Sequence, residues 1–264
     1  MSLRFTKYQG LGNDFVVVEG PELMSAERAR RLCDRRRGIG ADGVLSVLPP
    51  RVGGAAYMHV YNSDGSVAAM CGNGVRCVAR HLADTRALAG ELVVETDAGP
   101  KRCQILRDHG AAGGVTGIAV DMGPARDEGE QTFELGGERL VALRVSMGNP
   151  HAVFFDRATR ERATALGPAV EAAVPGGVNA GFATPRAGGL DLVVWERGAG
   201  LTEACGTGAC AAAVAAVKTG RARAGEPLEV RLPGGPLQIV VGADLVAVEM
   251  RGPAEKAFEG TTDL

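Results

Sequence analysis

The sequence C-G-N-G at residues 71–74 recurs as C-G-T-G at residues 205–208, which lies 134 positions further along the chain. Apolar and small residues at helical spacing follow each copy, and this periodicity predicts a helix after each cysteine. The same short element therefore appears twice, each time at the start of a predicted helix.

Two other stretches recur at nearly the same offset. Residues 62–65, N-S-D-G, correspond to residues 196–199, E-R-G-A, and residues 12–17, G-N-D-F-V-V, correspond to residues 148–153, G-N-P-H-A-V. Three ordered matches at nearly one offset indicate an internal duplication, and the period is too long for a solenoid repeat. The sequence therefore predicts two similar domains.

The strand-like runs are short and numerous, whereas helical patterns are few. This composition predicts the α+β class: two pseudo-twofold-related domains, each a curved, mostly antiparallel sheet or barrel around a central helix. We expect residues 1–115 with about 252–264 to form one half and residues 116–251 the other, with the boundary within Gly110–Thr116. The predicted helices are Ala26–Arg35, Val75–Leu88, Arg160–Val174 and Ala209–Val217. The predicted strands are Val16–Val18, Val44–Val47, Met58–Tyr61, Leu92–Glu95, Ile118–Val120, Val153–Phe155, Leu192–Trp195, Leu228–Leu232 and Leu245–Met250.

Composition excludes several classes of function. The net charge of −2 provides no strong field for nucleic acid or an anionic membrane. The longest apolar run, Ala209–Val217, is far shorter than the roughly 20 residues that a membrane span needs. The first residues contain no secretory apolar core, so we expect a cytoplasmic protein with reduced cysteines. The six cysteines form no Cys-x-x-Cys pair, and we expect no metal site.

A cysteine at a helix start is suited to acid and base chemistry. Backbone N–H groups and the helix dipole stabilise a thiolate there, and adjacent glycines allow spare N–H groups to bind a carboxylate. Two such elements, Cys71 and Cys205, could act on opposite faces of one α-carbon and invert it without a cofactor. Cys33, Cys77, Cys103 and Cys210 have no matched partner in the repeat, and we assign them to packing.

The glycine spacing also permits a dinucleotide-binding interpretation. Residues 38–43 match G-x-G-x-x-G, but they follow a helical pattern and precede a strand, the reverse of the Rossmann order. Residues 206–211 lie between a strand and a helix, yet about ten residues separate them from the strand, where the fingerprint needs a tight turn. The sequence therefore does not favour this interpretation.

Five motifs together make the sequence resemble the diaminopimelate epimerase family. They are residues 10–15 (G-L-G-N-D-F), 62–66 (N-S-D-G-S), 71–77 (C-G-N-G-V-R-C), 148–151 (G-N-P-H) and 196–200 (E-R-G-A-G), the last followed by 204–208 (A-C-G-T-G). The resemblance runs in order from Phe5 to the C-terminus.

This resemblance implies conversion of LL-2,6-diaminopimelate to the meso form, without pyridoxal phosphate or metal, in lysine and peptidoglycan precursor synthesis. It implies that Cys71 and Cys205 are the catalytic thiols and that His151 and Glu196 are supporting catalytic groups. It also implies a homodimer. The positions that it assigns to substrate binding are Asn13, Asn62, Gly72, Asn73, Asn149, Asn179, Glu196, Arg197, Gly206 and Thr207.

Two positions depart from the family pattern. Gly43 stands where some members have a glutamine that contacts substrate, so we expect that contact to be missing. Phe258 stands where many have a tyrosine at the dimer interface, and it retains the apolar contact without the hydroxyl.

Two rival functions remain open. A proline racemase or hydroxyproline epimerase would share the opposed cysteines but needs only a small pocket, whereas Arg197 and the asparagines favour a longer substrate with a second polar end. Alternatively, Cys71 and Cys205 could form a redox switch in a non-catalytic binding protein.

Overall fold

The fold was obtained as a computed structural model, which describes residues 2–108 and 114–264. The helices are α1 (Ala26–Cys33), α2 (Gly72–Arg86), α3 (Arg160–Ala173) and α4 (Gly206–Lys218). The first nine strands are β1 (Leu3–Gly10), β2 (Asn13–Glu19), β3 (Gly43–Leu48), β4 (Ala56–Asn62), β5 (Val67–Ala68), β6 (Glu91–Glu95), β7 (Lys101–Arg107), β8 (Val115–Asp121) and β9 (Arg126–Leu135). The others are β10 (Glu138–Ser146), β11 (Pro150–Phe154), β12 (Asn179–Arg186), β13 (Gly189–Glu196), β14 (Gly200–Leu201), β15 (Pro227–Leu232), β16 (Gly235–Val241), β17 (Val248–Gly252) and β18 (Glu255–Thr262).

The chain divides into two compact units. The first unit comprises the residues up to Val120 together with Gly252–Leu264, and the second comprises Asp121–Arg251. The predicted boundary between residues 115 and 116 falls inside β8, whereas the division between the units follows Val120. The predicted boundary segment, residues 110–116, lies partly outside the described residues.

The two units repeat one strand topology. In the first unit the strands pair in the order β18-β1-β2-β3-β4-β6-β7-β8, and in the second they pair as β9-β10-β11-β12-β13-β15-β16-β17. Parallel pairing occurs at equivalent places, β2 with β3 and β4 with β6 in the first unit, and β11 with β12 and β13 with β15 in the second. Among the described residues, the other strand pairings within each unit are antiparallel. This repetition confirms the predicted α+β class with duplicated, mostly antiparallel sheets.

Each sheet curves around one helix. Helix α2 contacts strands β1, β2, β3, β4, β6, β7 and β18, and α4 contacts β10, β11, β12, β13, β15 and β16. Helix α4 is built largely of buried alanines between Ala209 and Ala216. A helix that is apolar on all sides is typical of burial within a domain, and small side chains allow strands to approach it closely. The sequence of α4 therefore matches its central position.

The other two helices cover the opposite faces as crossovers between parallel strands. Helix α3 packs over a cluster in which Phe154 stacks on Phe182 at 5.2 Å between ring centroids and meets Phe133 edge-on at 5.4 Å. In the first unit, Leu32 of α1 packs with Val16 and Val44. Each sheet thus has apolar residues on both faces.

The strand at the outer edge of each sheet has a different origin in the chain. In the second unit it is β9, which precedes the rest of that unit, whereas in the first unit it is the C-terminal strand β18. Strand β18 pairs antiparallel with β1, and the ring of Phe258 meets that of Phe5 edge-on at 6.0 Å. The last residues of the chain therefore complete the first sheet.

The predicted elements differ from the structure mainly at their ends. Helices α2 and α4 begin at Gly72 and Gly206, three residues before the predicted starts, because the cysteines themselves are the N-caps. The predicted strand Leu245–Met250 is wrong at its start, since β17 begins at Val248. Leu245 has a left-handed φ of 59°, and the Asp244 side chain accepts the N–H groups of residues 246 and 247 in a turn.

Gly43 occupies a position without space for a side chain, and this yields a stability prediction. A Cβ there would lie 2.5 Å from the carbonyl oxygen of Tyr61 on the paired strand β4. Gly43→Ala should therefore lower the free energy of unfolding by about 1–3 kcal/mol, as overpacking does. Gly181→Ala, on the equivalent strand β12, is the control, because its Cβ would make an ordinary 3.4 Å contact with Leu192. Thermal unfolding compares the two variants. Equal melting temperatures would contradict the conclusion that Gly43 has no space for a side chain.

Candidate active site

The repeated C-G-x-G sequence forms the same structure in both units. Cys71 and Cys205 are the N-cap residues of α2 and α4, with extended backbone angles of φ −137°, ψ 115° and φ −118°, ψ 100°. The first turn of a helix has backbone N–H groups without intrahelical partners and carries partial positive charge. Each cysteine thus belongs to a helix end that favours anions.

The second glycine of each motif packs tightly against the cysteine three residues before it. A Cβ on Gly74 would lie 3.3 Å from the Cβ of Cys71 and 3.0 Å from a methyl group of Leu45. A Cβ on Gly208 would lie 3.2 Å from the sulfur of Cys205. A side chain at either position would require its neighbours to shift by a few tenths of an ångström, and this tight packing favours glycine at this place.

The two cysteines have different surroundings. Cys71 is half-buried, and its sulfur accepts the backbone N–H of Gly74 at 3.4 Å. Cys205 is only 4% exposed. Burial raises the pKa of Cys205 well above its ordinary value, and the Glu196 carboxylate raises that pKa further. These surroundings keep the proton on Cys205.

The first unit gathers several predicted residues into one hydrogen-bond network. The side-chain amide of Asn73 donates to Oδ1 of Asn13 at 3.3 Å, and Asn13 donates to Asp42 at 2.6 Å. The fully buried Arg76 donates to Oδ1 of Asn73 at 2.9 Å and to the carbonyl of Gly72 at 3.5 Å. The network thus holds Asn13, Asn73 and Gly72 beside the N-cap cysteine.

Sequence reasoning missed two members of this network. Arg76 is a charged residue between apolar positions of a central helix, and that placement was the available signal. Asp42 belongs to the G-x-G-x-x-G match at residues 38–43, and its carboxylate accepts from Asn13, from the backbone N–H of Asp14 and from Arg35. In this fold the glycine-rich segment precedes β3, as the sequence indicated.

Strand register aligns the two units residue by residue. Phe15 pairs with Gly43 on the parallel strands β2 and β3, and His151 pairs with Asn179 on β11 and β12. His151 and Asn179 therefore replace Phe15 and Gly43. Asn62 is exposed at the end of β4, where its amide donates to Ser66 Oγ at 2.9 Å.

In the second unit, a chain of side chains runs from His151 to Cys205. Nε2 of His151 lies 3.1 Å from Oδ1 of Asn149, and Nδ2 of Asn149 donates to Oγ1 of Thr207 at 3.2 Å. Oγ1 of Thr207 lies 3.7 Å from the Cys205 sulfur. His151 is 1% exposed, and its burial lowers its pKa to about 3, with a further contribution from the positive charge of Arg197. His151 is therefore neutral at physiological pH.

The two remaining predicted residues lie where β13 ends: Glu196 is its last residue, and Arg197 begins the turn that follows. Glu196 accepts the Thr202 hydroxyl at 2.5 Å. The backbone N–H of Arg197 donates to Oδ1 of Asn179 at 2.9 Å, while the amide of Asn179 donates to the carbonyl of Pro150 at 3.0 Å. Asn179 thus connects β11 to the turn and fixes the backbone of Arg197, whose side chain is exposed.

Metal clusters and membrane helices are both absent from the part of the chain that the structure describes. In residues 2–108 and 114–264, no three His, Cys, Asp or Glu side chains are grouped so that they could hold a metal ion. The longest helix in those ranges, α2 with 15 residues, is too short to cross a bilayer, and none of the others qualifies.

Comparison with known proteins gives a consistent result. The family model described as diaminopimelate epimerase matches residues 5–127 and 143–257. A diaminopimelate epimerase from Cyanothece sp. is 43% identical over 291 residues, covering 98% of this chain and 99% of the relative. One from Alkalilimnicola ehrlichii is 45% identical over 289 residues, covering 98% of each.

Solved structures share the fold at lower identity. A hydroxyproline epimerase from Agrobacterium vitis has a TM-score of 0.75 at 15% identity, covering 99% of this chain and 92% of that one. A PhzF-family phenazine biosynthesis protein from Bacillus anthracis has a TM-score of 0.77 at 14% identity and full coverage of both. At such identities the likeness extends to the fold alone.

The family model covers most of the chain, and named relatives match it from end to end at more than 40% identity. The chain therefore belongs to the diaminopimelate epimerase family of isomerases.

Proposed function

We propose that this protein interconverts LL- and meso-diaminopimelate by moving one α-proton between two cysteines, without a cofactor. The observation that carries the proposal is the duplication itself. Cys71 and Cys205 are N-caps of equivalent central helices in two units of the same topology. An epimerase must act on two substrates of opposite configuration at the reacting carbon, and a duplicated scaffold supplies one acid/base group for each.

The proposed reaction begins with a thiolate on one side of the α-carbon and a thiol on the other. The thiolate takes the α-proton, and the electron pair left on carbon is delocalised into the substrate carboxylate. The opposite thiol then donates its proton to the other face, so the two sulfurs exchange protonation states. Spare N–H groups at the starts of α2 and α4, around Gly72 and Gly206, would stabilise the charge on that carboxylate.

Differences in surroundings suggest the resting states. Burial and Glu196 favour the protonated form of Cys205. Cys71 is only half-buried, so a thiolate there loses less of its hydration than a thiolate at Cys205 would. We therefore assign the resting base to Cys71 and the resting acid to Cys205.

His151 would act through other residues instead of exchanging protons itself. The amide oxygen of Asn149 can only accept, so Nε2 of the neutral imidazole carries the hydrogen. Asn149 then donates to Thr207, and this leaves the Thr207 hydroxyl hydrogen available to the Cys205 sulfur when it is a thiolate. His151, predicted as catalytic, would thus fix the direction of a hydrogen-bond chain.

The second polar end of the substrate would be bound by Arg197 and the asparagines. An arginine can hold a carboxylate through two parallel hydrogen bonds, and asparagine oxygens accept from ammonium groups. The predicted residues Asn13, Asn62 and Asn73 in the first unit and Asn149 in the second are candidates for this binding. A proline-type substrate offers no second carboxylate for Arg197.

Deuterium exchange into the substrate tests the proposed function. In deuterated water the wild-type protein should incorporate label at the α-carbon of diaminopimelate and leave proline and hydroxyproline unlabelled. Mass spectrometry of each amino acid after incubation measures this. Label in proline alone would replace the proposal with a proline racemase, and no label in any of them would favour a binding or redox role.

Cysteine variants in the same assay test the roles of the two thiols. Cys71→Ser and Cys205→Ser should each lower turnover about 100- to 10,000-fold, because each removes one acid/base group. Cys77→Ala and Cys210→Ala are matched controls from the same helices, since both side chains are fully buried in packing. Undiminished conversion of LL- to meso-diaminopimelate by Cys205→Ser would contradict the two-base reaction.

The titration of His151 gives a pH prediction. The unfolded chain binds a proton at this residue below about pH 6.5, whereas the folded protein does so only near pH 3, so acidification through this window should favour unfolding. His151→Gln should therefore lose unfolding free energy less steeply between pH 6.5 and 4. NMR of the imidazole nitrogens reports the titration directly, and a midpoint near 6.5 in the folded protein would contradict this assignment.

We also propose that the protein is a cytoplasmic homodimer. Phe258 leaves 48% of its surface exposed on the edge strand β18, as suits an apolar contact with a second copy. Sedimentation velocity should give twice the 27.2 kDa chain mass, and Phe258→Asp should shift the protein toward monomer. A monomeric wild type would contradict the dimer, and recovery of the protein in a membrane or secreted fraction would contradict the location.

A further inference from the structure

A carboxylate from α3 holds both sides of the turn that carries Glu196 and Arg197. Oε2 of Glu171 accepts the indole N–H of Trp195 at 2.8 Å, and its Oε1 accepts the backbone N–H of Gly198 at 2.9 Å. These donors are the residues immediately before Glu196 and after Arg197. One side chain therefore fixes the indole of Trp195 on one side of two proposed site residues and the backbone of Gly198 on the other.

A glycine after α3 determines the path of the Arg197 side chain. A Cβ on Gly177 would lie 2.7 Å from Cδ and 2.9 Å from Cγ of Arg197, so the aliphatic stem passes directly over this glycine. Beyond the stem, the Arg197 guanidinium donates to the carbonyl of Gly176 at 2.9 Å. An exposed arginine would otherwise sample many rotamers, and this contact selects one of them.

The resulting arrangement borders an open cleft. Pro168, Glu171 and Pro175 line a cavity of about 520 Å³ together with Gly177 and Arg197. Arg197 is thus held at its backbone by Asn179 and Glu171 and along its stem by Gly177.

We propose that Glu171 and Gly177 are positioning residues that fix the guanidinium of Arg197 for the distal carboxylate of the substrate, and that they thereby determine substrate affinity. The inference rests on the proposed function, since it assigns Arg197 a carboxylate to bind. Preorganisation of this kind lowers the entropy that is lost on binding. Because Arg197 would bind the unreactive end of the substrate, its misplacement should raise KM much more than it lowers kcat.

Gly177→Ala is the first test. The methyl group should displace the arginine stem and raise KM for diaminopimelate about tenfold or more, because a hydrogen bond to a charged group is lost or weakened. The backbone φ of 77° adds strain of its own, so the control is Gly188→Ala. Gly188 has a φ of 73° in the same unit, and a Cβ there would meet nothing within 4 Å. Gly188→Ala should match Gly177→Ala in thermal stability and the wild type in KM.

A double-mutant cycle separates positioning from a general structural role. In an Arg197→Ala background, Gly177→Ala should have no further effect on KM, since the side chain that it displaces is gone. A tenfold effect that persists in this background would contradict the proposal. Equal KM values for Gly177→Ala and Gly188→Ala would contradict it too.

Glu171→Gln tests the positioning role of Glu171. The amide keeps the shape of the carboxylate but offers only one oxygen, so one of the two N–H donors loses its acceptor. KM should rise while kcat is largely maintained. Trp195 is the only tryptophan in the chain, so its fluorescence emission reports directly on loss of the Glu171 contact. Unchanged emission together with unchanged KM would overturn the role of Glu171.

The wild-type assay separates a failure of the proposed function from a failure of the positioning role of Glu171 and Gly177. If the wild-type protein exchanges no α-hydrogen of diaminopimelate, the proposed function fails. If the wild type is active and the variants leave KM unaltered, only the positioning role fails.

Discussion

The structure depends on one constraint: a cysteine sulfur must be held at the N-terminus of a helix that is itself surrounded by a sheet. The helix end provides N–H groups and partial positive charge, and burial of the helix limits access of water to them. The glycine three residues after each cysteine suits this constraint, because a Cβ on Gly74 or Gly208 would lie in tight contact, at 3.2–3.3 Å, with the cysteine side chain. The small residues of α4 also contribute to this arrangement, because they allow six strands of the sheet to contact the helix.

Duplication of this element places the two cysteines in equivalent backbone positions. A few residue differences between the two units then make the surroundings of the cysteines unequal. His151 and Asn179 of the second unit occupy the strand positions of Phe15 and Gly43 in the first. Glu196 occupies the position of Asn62 and raises the pKa of Cys205. Arg76 is a fully buried arginine in α2, whereas the corresponding residue of α4 is Cys210. The two units thus share one strand topology, while their charged and titratable side chains differ around otherwise similar thiols.

The sequence predicted the duplicated α+β fold and the central helices because the repeat keeps both the C-G-x-G element and the helical spacing after it. It did not predict several strands, such as β9 and β18, because their residues are largely exposed and polar. The partner of β18, strand β1, also lies at the opposite end of the chain. It also missed Arg76, Asp42 and Glu171. These residues act through hydrogen bonds to backbone and side-chain groups of other elements, such as those from Trp195 and Gly198 to Glu171, and no local pattern encodes such contacts. The other site residues could be predicted from the sequence because they lie in repeated or family-specific motifs.

The central claim is that two different groups handle the proton, one on each face of the α-carbon. The position of isotope during the first turnovers tests this claim most directly. LL-diaminopimelate would be incubated in deuterated water, and the recovered substrate and the meso product would be separated at low conversion. The two-cysteine account predicts deuterium at the inverted carbon of the product and little or none in the recovered substrate, because the second thiol exchanges with solvent before it donates. Product that retains the original hydrogen would show that a single group removes and returns the proton, and would contradict the account.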